Sequence, residues 1–175
     1  MFESWGEFYL LAGSAAAVLI GLIFVVVTLM SDRPRSSVLT GSKLYMGPVV
    51  LQVSFVLALS AAALTPGISA RAFAALAGVV ALWGLVRGVQ SIVGIGALKD
   101  EVHWSDVWFY GVFPSLLYVA LAAVAAGFWT GQGWAVHGIA AVTTAVLLLS
   151  VRNEWDLVTW LAPRGEESRA VSPGD

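Results

Sequence analysis

The sequence predicts an all-α membrane protein, a five-helix transmembrane bundle with the N-terminus outside and the C-terminus cytoplasmic. Three observations carry this. Of 175 residues, 59% are hydrophobic and only 11% are charged, where a soluble domain has about a quarter charged. The apolar residues fall into five blocks, each near the ~20 residues that a helix needs to cross a bilayer. Lys and Arg concentrate in alternate connections. Charged side chains this scarce leave the surface of a water-soluble fold uncovered, so lipid covers it.

The first block, residues 8–30, contains no charge. Two acids precede it, Glu3 and Glu7, with no Lys or Arg, and it is too long for the apolar region of a cleaved signal. The second block, residues 47–65, opens on Pro48 and closes on Pro66-Gly67. Residues 72–95 form the third, interrupted by Arg87 and Gln90. In the fourth, residues 107–129, Pro114 predicts a kink, because it has no N–H and its ring meets the carbonyl one turn back. The fifth runs over residues 135–160 and ends in the charged stretch VRNEWDLVTW. Short connections after the second and fourth blocks force antiparallel hairpins. The alternation of a membrane β-barrel is absent. Residues 1–162 thus read as one transmembrane domain, and residues 163–175, polar with Pro and Gly, as a disordered cytoplasmic tail.

Arg33, Arg35 and Lys43 lie in the first loop, Lys99 in the third, and Arg152, Arg164 and Arg169 at or beyond the end of the fifth block. Only Arg71 lies on the other side. The basic side is expected to be cytoplasmic. Tryptophans prefer headgroup level. Trp5, Trp129 and Trp134 fall at the expected outer face, Trp104, Trp108, Trp155 and Trp160 at the inner, and Trp83 well inside a block.

Small residues mark where helices approach closely in lipid. Gly13, Ala17 and Gly21 form one stripe on the first block, and Gly84 with Gly88 a GxxxG pair on the third. They serve either packing within one bundle or self-association, and a bundle this small is expected to self-associate.

The polar residues at membrane depth gather in the cytoplasmic third. They are Thr28, Gln52, Arg87, Gln90, Ser91, Arg152, Glu154 and Asp156, with Ser54 and Ser60 the main polar groups deeper in the second block. Arg87, Gln90 and Ser91 are at i, i+3 and i+4 and share a face, and Arg152 can pair with Asp156 one turn on. An arginine at that depth costs a few kcal/mol unless paired or wetted. Two readings follow: an ion pair from Arg87 to Glu154 or Asp156 that locks the third helix to the fifth, or a water-filled vestibule that meets a solute. Glu3 and Glu7 form an external acidic pair that would ring the mouth of an oligomeric pore.

No cysteine is present, and the two histidines, His103 and His137, offer little to a metal or haem site. His103 with Asp106 lies in a charged loop read as a solvated connector. No P-loop, zincin, dinucleotide or nucleophile–base pattern occurs, so no cofactor, metal or catalytic residue is expected. The net charge of −2 gives no basic field for nucleic acid.

FYLLAGSAAAVLIGLIFVVVTL at residues 8–29 and VRNEWDLVTW at residues 151–160 resemble a loose group of small bacterial inner-membrane proteins, some named as modulators of a membrane-bound protease. The resemblance implies a multi-pass protein of the bacterial inner membrane and assigns no residue a role. The functional expectation is a small oligomeric channel or carrier with a polar cytoplasmic vestibule. The alternative is an accessory or regulatory subunit that binds another membrane protein.

Overall fold

The computed structural model describes residues 2–29, 47–96 and 107–161. The basic first loop, the charged third loop with His103 and Asp106, and the tail at 163–175 lie outside the described residues. Among the described residues five helices follow in order: α1 (Gly6–Leu29), entered through a 3-10 turn at Glu3–Trp5, α2 (Gly47–Leu64), α3 (Ala70–Gly96), α4 (Phe113–Trp129), entered through a π turn at Trp108–Val112, and α5 (Ala135–Leu161). Each is long and apolar enough to cross a membrane. Each also shows large apolar side chains outward, among them Leu10 and Phe24 of α1, Leu57 of α2, Leu82 of α3, Leu116 of α4 and Leu148 of α5. An apolar surface that extensive suits hydrocarbon and not water. This is the architecture of a multi-pass membrane protein.

Both short connections turn at glycines with left-handed backbone, Gly67 and Gly131, each at φ 72°. At Gly131 the turn is a Schellman closure. Gln132 N–H donates to the Gly127 carbonyl at 2.8 Å and Gly131 N–H to Phe128 at 3.2 Å, so the last carbonyls of α4 are satisfied before α5 begins.

The helices close a ring in chain order, each packed on the next and α5 back on α1, while α2 and α5 also touch across it. The most extensive pairs are α3 with α4 and α1 with α2. Small residues account for both. A Cβ on Gly84 would strike the Tyr118 ring and one on Gly88 the Ser115 hydroxyl, so the GxxxG pair of α3 is spent on α4 of the same chain. A Cβ on Gly13 would lie 3.3 Å from Ser60 Cβ of α2. The rest of the α1 stripe is free: Ala17 is exposed, and nothing stands within 4 Å of where a Gly21 Cβ would be.

Two core clusters stack along the bundle. Toward the end that holds the N-terminus and both hairpin turns, the core is aromatic. Phe2 packs on Tyr9, Phe73 and Phe128 with centroids at 5.2, 4.8 and 5.7 Å. Aromatic contacts of this kind add about 0.5–1.5 kcal/mol per pair beyond area burial, and here they tie the N-terminal segment to α1, α3 and α4. Toward the opposite end the core is built from smaller side chains, Ala16, Val49, Val53, Val56 and Val146, with Tyr110 from the π turn.

Candidate functional site

The polar groups meet at that second end, and Pro114 organises them. In a regular α-helix the Pro114 ring would press on the Tyr110 carbonyl. The chain instead widens into a π turn, in which Phe113 N–H donates to the Trp108 carbonyl five residues back. The next bond in that pattern would run from residue 114 to the Phe109 carbonyl, and proline has no hydrogen to give. Asn153 of α5 fills the vacancy. Its Nδ2 donates to the Phe109 carbonyl at 3.3 Å, and the side chain is fully buried. The expected kink is thus a π turn whose orphaned carbonyl is capped from another helix.

Around Asn153 the contacts knit α4 to α5. The Tyr110 hydroxyl donates toward the Asn153 carbonyl at 3.2 Å and Asp156 Oδ2 at 3.4 Å. Arg152 Nη1 donates to Asn153 Oδ1 at 3.2 Å, and its guanidinium carbon lies 3.3 Å above the centre of the Phe109 ring, a cation–π contact. On the neighbouring face of α5, the buried Ser150 hydroxyl donates to Gln52 Oε1 of α2 at 3.4 Å. One turn further, Glu154 is 7% exposed, and its Oε1 is buried with no hydrogen-bond partner. The hydroxyls of Tyr9, Ser60, Ser91 and Thr143 are likewise buried and unpartnered.

Two expected ion pairs are not formed. Arg87 is exposed on the outer surface of α3, where Nη1 donates to Gln90 Oε1 at 3.1 Å. Among the described residues it pairs with neither Glu154 nor Asp156. The cause is the ring order: α3 and α5 each pack on α2 and α4, which stand between them. Arg152 does not pair with Asp156 either, because Phe109 and Asn153 hold the guanidinium and Tyr110 takes the carboxylate. The shared face of Arg87, Gln90 and Ser91 also divides. Arg87 and Gln90 turn outward, while Ser91, rotated past the edge, is buried. At the other end Glu3 and Glu7 are both exposed.

Of the residues singled out by sequence, the structure brings Gln52, Arg152, Glu154 and Asp156 to one end of the bundle, the first and third buried and the other two half-buried, and leaves Arg87 and Gln90 on the surface. Sequence reasoning missed Tyr110, Ser150 and Asn153. The signal for Asn153 was present in Pro114: a carbonyl deprived of its amide in a packed helix bundle must find a donor elsewhere. No family model, curated protein or solved structure matches this chain.

Proposed function

We propose that this chain is a small oligomeric channel or carrier of the bacterial inner membrane, with the α4–α5 end as a polar cytoplasmic vestibule and Glu154 as the group that meets a cation. One observation carries the reading. Glu154 is buried inside the bundle with an oxygen that nothing in the described structure satisfies. An ionisable side chain facing a bundle interior is costly, and it commonly marks a pathway for ions or protons. The other polar groups of the cluster have structural employment: Asn153 caps a carbonyl, Arg152 stacks on a ring, and Gln52 bonds Ser150. Glu154 alone among the charged residues there is left with an unengaged buried atom.

The test is flux into proteoliposomes that hold the purified protein, with protons and monovalent cations as the probes. Glu154→Gln keeps the shape and removes the charge. It is expected to lower flux by at least about tenfold, the scale at which about 1.4 kcal/mol is lost, while the protein remains monodisperse and helical. An inert wild type, or full flux in the variant, would sink the reading.

A second reading, an accessory subunit that binds another membrane protein, is favoured by the Arg87–Gln90 pair. Both side chains sit on the lipid-facing surface of α3 beside the exposed Trp83, where a polar neighbour satisfies them better than hydrocarbon. It predicts a protein that co-purifies with the wild type and is lost in Arg87→Leu.

A further inference from the structure

A groove of about 400 Å³ runs along the outside of the bundle between α4 and α5. That volume falls within the roughly 300–1,000 Å³ typical of small-molecule sites. Its walls are Phe113, Leu116, Ala145 and Leu148, with Phe109 and Arg152 among its lining residues. Leu116 and Leu148 are largely exposed, so the groove opens sideways, toward the membrane.

The charged member decides what fits. Arg152 is held against the Phe109 ring and spends one N–H on Asn153 Oδ1. Most of its donors remain uncommitted. Among the described residues it has no carboxylate partner: Asp156, one turn on along α5, accepts from Tyr110, and Glu154 Oε1 is buried without a partner. Its depth is that of the lipid headgroups. A helix rising ~1.5 Å per residue uses about 20 residues to cross the hydrocarbon, and counted from Ala135 that length ends beside Trp155. Trp155 is exposed, as is Trp108 next to Phe109, and tryptophans anchor at this level. An apolar trough that ends in a preoriented guanidinium, with no carboxylate partner among the described residues, suits an acyl chain that ends in a phosphate headgroup of net negative charge.

We propose that this groove binds one anionic phospholipid, an acyl chain along α4 and α5 and the headgroup phosphate on Arg152. The planar guanidinium suits phosphate oxygens, and its stacking on Phe109 fixes it before the lipid arrives. The site serves a carrier or an accessory subunit equally, so it stands apart from the role of Glu154.

The test is native mass spectrometry of the delipidated full chain, titrated with phosphatidylglycerol or phosphatidylcholine of identical acyl chains. One phosphatidylglycerol is expected to bind roughly fivefold more tightly, the worth of one basic residue against an anionic headgroup. Arg152→Gln should equalise the two lipids, Arg152→Lys should retain a preference, and Ala145→Phe, which fills the trough, should weaken both. Inorganic phosphate should fail to displace the lipid. Equal affinities in the wild type, a preference that survives Arg152→Gln, displacement by phosphate alone, or undiminished binding to Ala145→Phe would each overturn the proposal. If Arg152→Gln does not fold, the Lys and Phe variants decide it.

Discussion

Asn153 and Pro114 show how one missing hydrogen shapes a site. The proline leaves the Phe109 carbonyl without its backbone donor, and the asparagine on another helix supplies one. Asn153→Ala removes that donor and leaves a part-buried carbonyl unsatisfied, which costs about 1–3 kcal/mol. The same change frees Arg152 from one of its two anchors. Pro114→Ala restores an amide at position 114, so the carbonyl no longer depends on the asparagine. The two substitutions should therefore be non-additive: Asn153→Ala should cost at least ~1 kcal/mol less in the Pro114→Ala background. Denaturation in detergent, read as a double-mutant cycle, measures this, and simple additivity would show that the Asn153 contact is incidental. Arg87 gives the converse lesson. Its spacing to Gln90 was legible in sequence and the two do bond, but which way the pair points was not.

At the scale of elements, the reason is that lipid removes the usual signal. In water an apolar stripe marks the buried face of a helix. Here Leu82 and Val86 of α3 face outward while Ala77 and Val80 of the same helix are buried, and nothing in their hydropathy separates the two sets. That the described residues hold five helices of membrane-crossing length was legible because it depends on length and apolarity alone. The contacts were not, except where a residue is too small to be neutral. Gly84 and Gly21 make the contrast testable, since both belong to small-residue patterns and only one is packed. Gly84→Ala drives a methyl group into the Tyr118 ring and should cost about 1–3 kcal/mol by overpacking. Gly21→Ala meets nothing within 4 Å and should stay within about 0.5 kcal/mol of wild type or gain slightly. Thermal unfolding in one detergent ranks them, and the reverse order would mean that α3 and α4 do not pack as described.

At the scale of the whole molecule, the two ends of the bundle differ in kind, and their difference predicts an orientation. The N-terminal end is closed by Phe2, Phe73 and Phe128 and carries Glu3 and Glu7. The other end gathers Arg152, Asn153, Glu154 and Asp156, and the chain segments that continue from it hold Arg33, Arg35, Lys43, Lys99, Arg164 and Arg169. Basic residues near helix ends are retained in the cytoplasm, and acidic ones count for little, so this end should face inward. The chain has no cysteine, which makes single-cysteine labelling clean. Ser4 and Gln132 are exposed at the N-terminal end and Thr159 at the other. In intact spheroplasts, Ser4→Cys and Gln132→Cys should react with a membrane-impermeant maleimide, and Thr159→Cys should react only after permeabilisation. The opposite pattern would invert the bundle and place the end that holds Glu154 at the outer face. Accessibility of Ser4→Cys without Gln132→Cys would break the shared end itself, because the positions are separated by four crossings and an even number of crossings returns the chain to the side it left.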